Sequence, residues 1–197
     1  MTELWLVRHG QTDWNIVRRF QGNSDTLLNE TGIAQAQTLA AALDGQSFAA
    51  LYASPLQRAF QTAEVLANHL QLSIQTDDDL VEACHGDWEG MLWTDIKIQY
   101  PELIAQRSID PVNTRPPGDG ENVAEVAKRM AAAATRIAQR HPQEKVLIAS
   151  HGLSLAALIC CARGVSLHDV FDYIPKNTQV EKIHWDAAAT PCPEIKA

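Results

Sequence analysis

Two short apolar runs constrain this chain more than any other feature: residues 3–7 (ELWLV) and residues 145–149 (KVLIA). A strand with one face in water alternates apolar and polar side chains. A run that is apolar almost throughout suits a strand covered on both faces, as in a parallel sheet layered by helices. The covering helices are readable. Ile33, Ala36, Leu39, Ala40 and Leu43 form one stripe at helical spacing. Leu56, Ala59, Phe60, Ala63, Leu66, Ala67 and Leu70 form a second, and Val123, Val126, Ala127, Met130, Ala134 and Ile137 form a third across residues 121–140. Another apolar helix is expected at about 153–163. Residues 48–53 read as a further strand, with Ser54 as the N-cap of the next helix and Pro55 at its first position. Residues 72–75 and 179–185 complete the strand set. The order β-α-β, helical insertion, β-α-β predicts a three-layer α/β/α sandwich with a mainly parallel central sheet and a helical insertion near the active site. Residues 110–120, with Pro111, Pro116, Pro117, Gly118 and Gly120, read as a loop bordering that site. The expectation is one catalytic domain over residues 1–186 and an irregular tail over 187–197.

Charge narrows the function. Sixteen Lys and Arg against twenty-four Asp and Glu give a net charge of −8 in 197 residues, which disfavours nucleic acid and anionic bilayers as partners. A few arginines in a crevice still suffice to hold a small anion. No apolar run approaches the roughly 20 residues of a membrane span, and the first residues lack the features of a secretory signal, so a cytoplasmic location is expected. Cys84, Cys160, Cys161 and Cys192 include no CxxC pair and read as reduced thiols, and no structural zinc is expected.

The chemistry gathers just after the strands. Arg8-His9-Gly10 follows the first, Ser54 to Arg58 follow the 48–53 strand, Glu82 comes soon after the 72–75 strand, and Ser150-His151-Gly152 follows the 145–149 strand. In open α/β sheets, ligands bind outside the carboxyl ends of the strands. Taken singly, His9 or His151 reads as a hydrogen-bonded structural residue. Their shared context changes this, because Gly10 and Gly152 let backbone approach a ligand and expose amides to an anion. Arg58 sits in the first turn of its helix, where the macrodipole prefers anions. Two histidines, two arginines and a carboxylate suit phosphoryl transfer without a metal. A neutral imidazole attacks phosphorus, planar guanidinium forks hold the oxygens, and a carboxylic acid protonates the leaving oxygen. A zinc site of His9, His151 and Glu82 is disfavoured by the arginines beside it. His85, His69, His141, His168 and His184 are expected to serve surface or packing roles, His85 exposed on its loop.

Leu6-Val7-Arg8-His9-Gly10-Gln11-Thr12, with Trp14-Asn15 beyond it, resembles the signature of the histidine phosphatase, or phosphoglycerate mutase-like, superfamily. The resemblance runs on through Phe20-Gln21-Gly22, Asn29-Glu30-Thr31-Gly32, Ala53-Ser54-Pro55-Leu56-Gln57-Arg58-Ala59, Gly86-Asp87-Trp88-Glu89-Gly90, Pro117-Gly118-Asp119-Gly120-Glu121, Ser150-His151-Gly152 and Asn177-Thr178. It implies a cytoplasmic enzyme, with no cofactor, in which His9 is transiently phosphorylated. Arg8, Arg58 and His151 would hold the phosphoryl group and Glu82 would donate the proton. Asn15, Gln21 and Gly22 would add substrate contacts.

Within that resemblance, the short chain and the Gly86-to-Gly90 segment favour the phosphatase branch, acting on a small-molecule phosphate monoester. The alternatives are a cofactor-dependent phosphoglycerate mutase and, more distantly, a noncatalytic phosphate-sensing module. Between Met91 and Glu121 the cations are Lys97, Arg107 and Arg115, few for gripping a second phosphate, with Arg18 and Arg19 near the entrance. Phe20, Trp88 and Trp93 are candidates for an apolar leaving-group side. The sequence carries no signal of oligomeric state.

Overall fold

A computed structural model describes residues 1–188. Five strands, β1 (Thr2–Arg8), β2 (Ala50–Ala53), β3 (Ile74–Thr76), β4 (Lys145–Ser150) and β5 (Val180–Trp185), form one sheet in the order β3-β2-β4-β1-β5. All neighbours are parallel except β1 and β5. Among the described residues seven α-helices accompany them: α1 (Asp13–Ile16), α2 (Glu30–Ala42), α3 (Gln57–Leu70), α4 (Trp93–Gln99), α5 (Pro101–Ile109), α6 (Val123–Arg140) and α7 (Gly152–Arg163). Among the described residues no helix is long and apolar enough to cross a membrane.

Strand alternation sorts the core into two layers. Leu4 and Leu6 of β1, Tyr52 of β2 and Val146 and Ile148 of β4 pack with α6 and α7. Trp5 and Val7, Leu51 and Ala53, and Leu147 and Ala149 point the other way, toward α2 and α3. Both faces of the central strands are therefore dry, which is why their sequences are apolar without alternation. The third stripe is fully realised: all six of its apolar residues are buried on α6, whose start is fixed by an Asn122 capping box with Glu125. In the first stripe Ile33 is the exception, 41% exposed, with Gly32 on the buried face instead.

One local expectation is corrected. Ser54 does not cap α3. The helix begins two residues later, with Leu56 at the N-cap position and no side-chain cap, and the Ser54 hydroxyl meets the His151 ring. Residues 110–120 form the expected loop, and its end packs against the segment that follows Glu82. Pro117 accepts from the Asp87 amide at 3.0 Å, and Glu121 and Cys84 exchange two hydrogen bonds. The expected tail lies almost wholly outside the described residues. Cys84 is a free thiol, as expected; Cys160 and Cys161 are buried on α7, and Cys192 lies outside the described residues.

Candidate active site

The register of the central pair builds the site. Arg8 lies opposite Ser150 across the β1–β4 ladder, so the residues that leave these two strands, His9 and His151, must emerge side by side. Their rings lie 5.3 Å apart, and the His9 amide donates to the Ser150 carbonyl at 3.0 Å. A nearest-neighbour relation thus joins residues 142 positions apart in the chain.

His9 is 2% exposed. Its Nδ1 is 2.7 Å from the Gly10 carbonyl oxygen. That oxygen only accepts, so Nδ1 carries the proton and Nε2 carries the free lone pair. Burial, then the Arg58 and Arg8 charges, push the His9 pKa well below its ordinary value. The ring is neutral at physiological pH. The Asn177 side-chain amide fixes the His9 carbonyl at 2.8 Å.

Each of the groups facing His9 is anchored on one side and open on another. Arg58, fully buried on α3, donates through its two terminal nitrogens to the Ser24 and Gly22 carbonyls at 2.8 and 2.6 Å, leaving Nε without a partner. Its pKa is lowered to about 10, by burial first, and it remains a cation. Arg8 donates from Nη1 to the Pro175 carbonyl at 2.7 Å and also leaves Nε unpartnered. His151 has Nε2 at 2.8 Å from the Ser54 hydroxyl, which itself accepts from the Leu56 amide, so the hydroxyl proton is free to go to the ring. The proton of the ring then sits on Nδ1, a buried atom with no described partner. Burial, reinforced by Arg58, holds the His151 pKa well below its ordinary value. An unsatisfied buried donor costs about 1–3 kcal/mol, and three of them belong to the groups that lie beside His9 or act on it through their charge. An anion with several acceptor oxygens satisfies all three.

Glu82 closes the set at the start of α7. Its carboxylate accepts from the Leu153 and Ser154 amides at 3.3 and 3.1 Å, from the Ser154 hydroxyl at 3.1 Å and from the Ala83 amide at 2.9 Å. Burial pushes its pKa up, but His85, the amide donors and the Arg58 guanidinium outweigh it and hold the carboxyl below its ordinary value. In the free site Glu82 is ionised.

The glycines work differently from expectation. The Gly10 amide donates to Thr62, and a Cβ there would meet the Gly32 carbonyl oxygen at 2.4 Å, so this glycine lets β1 run against the start of α2. Gly152 does face the site, because a Cβ would lie 3.3 Å from Arg8 Cζ. Gly22 has a φ of +50°, and its space is filled by the Glu89 carboxylate. Its carbonyl orients Arg58. Asn15 and Gln21 lie one layer out, tied through Thr12 at 3.0 Å each, and their side-chain NH2 groups donate to no described residue.

Beyond the reacting groups the site opens into a cavity of about 540 Å³. Arg8 and Glu82 line one end. Phe20, Trp88 and Trp93 line its walls, as the sequence suggested, with Leu153, Phe171 and Ile174 opposite. His85 is a correction: it is 9% exposed, faces this cavity, and packs its ring edge-on to Phe20 at 4.9 Å. Burial lowers its pKa to about 4, so it is neutral at pH 7. The turn at Gly86 folds its backbone against Pro117 and turns the ring inward. Of the three cations in the insertion, Lys97 lies over Trp93 and Arg115 pairs with Glu125, while Arg107 alone reaches the cavity. Arg19 binds the Gly90 carbonyl and lies over Trp14, away from the cavity. From the sequence Ser54 has only a capping role and Arg107 only a place among three insertion cations, and nothing points to Ser154, since the contacts of each depend on an approach between distant segments. No cluster of three or more metal-ligating side chains exists among the described residues.

A family model for the histidine phosphatase superfamily (branch 1) matches residues 4–194. The chain is 33% identical over 186 residues to phosphoserine phosphatase 1 of Hydrogenobacter thermophilus, covering 94% of this chain and 88% of that protein. It is 34% identical over 183 residues to phosphoglycerate mutase-like protein 4 of Arabidopsis thaliana, covering 92% and 75%. The mycobacterial glucosyl-3-phosphoglycerate phosphatase solved with VO3 superposes with a TM-score of 0.84 at 28% identity, covering 91% of each chain.

Proposed function

This chain belongs to branch 1 of the histidine phosphatase superfamily, and from that membership we propose that it is a metal-independent phosphatase hydrolysing small phosphate monoesters through a phosphohistidine on His9. One observation carries the reading: three groups clustered about a neutral imidazole with a free Nε2, namely Arg8, Arg58 and His151, each keep a buried nitrogen without a partner, Nε, Nε and Nδ1. In the proposed reaction Nε2 attacks phosphorus while the three donors take up the charge on the equatorial oxygens. The bond from phosphorus to the ester oxygen breaks, and Glu82 gives that oxygen its proton. Glu82 is ionised in the free site, and arrival of a phosphate dianion beside it raises its pKa and favours the protonated form the step needs. Water then attacks the phosphohistidine, Glu82 accepts its proton, and phosphate and free His9 result. Asn15 and Gln21 supply further donors at the phosphate rim, and Gly22 acts through its carbonyl on Arg58. The substrate is a small molecule, and nothing in the proposed chemistry calls on nucleic acid or a membrane.

The test is turnover of para-nitrophenyl phosphate in EDTA, combined with acid- and base-quench analysis of enzyme mixed with a 32P-labelled ester. Release of phosphate with an acid-labile, base-stable label that is lost in His9→Ala is the expected result. Turnover that survives His9→Ala, or that vanishes with EDTA and returns with metal, overturns the reading. Phosphatase is preferred to mutase because a single insertion cation, Arg107, reaches the cavity. Isomerisation of 3-phosphoglycerate with a bisphosphate primer, faster than phosphate release, reverses that preference. Tight phosphate binding with neither turnover nor label restores the sensing module.

A further inference from the structure

Residues 81–85 belong to no helix or strand, so no ladder fixes the backbone that carries Glu82. Arg129 reaches this segment from α6. Its Nη1 donates to the Asp79 and Val81 carbonyls, both at 2.8 Å. Its Nε and Nη2 donate to the two carboxylate oxygens of Glu121 at 2.9 and 3.0 Å. Glu121 in turn accepts from the Cys84 amide at 2.9 Å, and its own amide donates to the Cys84 carbonyl at 2.8 Å. One guanidinium plane thus grips the chain on both sides of Glu82, directly before it and through Glu121 after it. The side chains of Arg129 and Glu121 are 15% and 23% exposed, so this two-toothed pair is largely shielded from water, unlike a surface ion pair. The same fork touches a donor of the Glu82 carboxylate. Arg129 Nη2 lies 3.5 Å from the Ser154 hydroxyl, which lies 2.7 Å from the Val81 carbonyl oxygen and 3.1 Å from Glu82 Oε1. That hydroxyl has one proton for two acceptors. Val81 is already served by Arg129, so the proton is free to turn to Glu82 when the carboxyl is ionised and away from it when it is protonated. Glu121 closes the Pro117-to-Glu121 motif, and neither it nor Arg129 has a task in the reaction described above.

We propose that Arg129 is a positioning residue for proton transfer: braced by Glu121, it holds Val81, Cys84 and Ser154 so that the Glu82 carboxyl stays aimed at the ester oxygen. This rests on the phosphatase reading above and adds a residue to the same site. The step it serves is the first one. His9 Nε2 bonds to phosphorus, the bond from phosphorus to the ester oxygen breaks with its electron pair on that oxygen, and the Glu82 proton moves to the oxygen and leaves a carboxylate. A loop residue that drifts by a fraction of the donor–acceptor distance loses this transfer while the phosphoryl contacts remain.

Turnover is compared as kcat/KM, which reports formation of the phosphohistidine whatever step limits kcat. Arg129→Lys keeps the charge that His151 feels but cannot hold two carbonyls and a carboxylate in one plane. On phenyl phosphate, whose leaving oxygen is basic, Arg129→Lys lowers kcat/KM roughly ten- to a hundredfold, and on para-nitrophenyl phosphate less than about threefold. A series of aryl phosphates therefore depends more steeply on leaving-group pKa than with the wild type. Inhibition by inorganic phosphate stays within about threefold, because Arg8, Arg58 and His151 are untouched. In the Glu82→Gln background the same substitution costs less than about threefold on phenyl phosphate, since the proton it positions is gone. An arginine with a merely structural role lowers all esters alike, and as much in Glu82→Gln as in the wild type. Unchanged kcat/KM, an equal loss on both esters, or an undiminished loss in the Glu82→Gln background overturns the proposal. If the lysine variant does not fold, Glu121→Gln, which weakens the fork and leaves Arg129 in place, carries the same comparison with the same outcomes. Turnover of phenyl phosphate by the wild type, with label on His9, reports on the phosphatase reading alone. Its absence refutes that reading and the role of Arg129 with it, whereas turnover with an unchanged leaving-group dependence in Arg129→Lys refutes only the role of Arg129.

Discussion

The two ends of the cavity are built on different principles. At the His9 end every charged group is hydrogen-bonded to backbone close to the strand ends. Arg8 bonds to Pro175, Arg58 bonds to Gly22 and Ser24, Glu82 sits on the first amides of α7, and His9 is locked to the Gly10 carbonyl. At the far end Arg107 and His85 are held by ring contacts with Trp88, Phe171 and Phe20, on elements outside the sheet. Hydrogen bonds to backbone set position and direction; packing against ring faces sets position and leaves direction to the ligand. The contrast teaches that the groups at one end are fixed in direction before any ligand arrives, while those at the other can still turn to meet one. Losses at the His9 end should therefore be large and independent of substrate identity, and losses at the far end smaller and substrate-dependent.

The largest effect tests the near end. His9→Ala should lower kcat by at least about 10⁴-fold on every ester, because the covalent step has no substitute nucleophile. Rapid-quench turnover measures it, and a loss confined to some esters would erase the contrast. Arg58→Lys should cost roughly 10²- to 10³-fold in kcat/KM, since an ammonium cannot hold two carbonyls and a phosphoryl oxygen in one plane. Glu82→Gln should slow esters with basic leaving groups by roughly 10²-fold or more and activated aryl esters far less, as general acid catalysis requires. A series of aryl phosphates measures this as a steeper dependence on leaving-group pKa.

Protonation separates the ends through stability. The His85 pKa of about 4 lies below its unfolded value of 6.5, so protons favour the unfolded chain. The contribution is complete above pH 6.5 and is lost as pH falls toward 4, at about 1.4 kcal/mol per pH unit. Urea midpoints between pH 7 and 4 should fall less steeply in His85→Gln, with para-nitrophenyl phosphate turnover at pH 7 little changed. The smallest effect is at the wall: Phe20→Ala should raise KM for an aromatic ester several-fold, in keeping with partial loss of about 1.5–3 kcal/mol of aromatic burial, and leave kcat nearly constant.

The near end was legible because its residues are local in sequence. Each follows its strand within a few positions, and parallel strands put all such residues at one edge of the sheet, so Arg8-His9-Gly10 and Ser150-His151-Gly152 identified the place before any coordinates. The far end was not legible. His85 follows Glu82 on an apparently polar turn, yet Gly86 and Pro117 rotate it inward. Ser54 read as a helix cap, whereas its hydroxyl bonds to His151, 97 positions away in the chain. Arg107 differed in no visible way from Lys97 or Arg115.

What the sequence alone determined is the layered sheet, its covering helices and the edge where the reactive groups gather, because apolar periodicity and strand-end position are one-dimensional properties. Tertiary structure alone decided which proton each histidine carries, which donors stay unpaired and which cation faces the cavity. Those outcomes depend on contacts between segments tens of residues apart, where burial removes water and a single hydrogen-bond partner settles the state of a group.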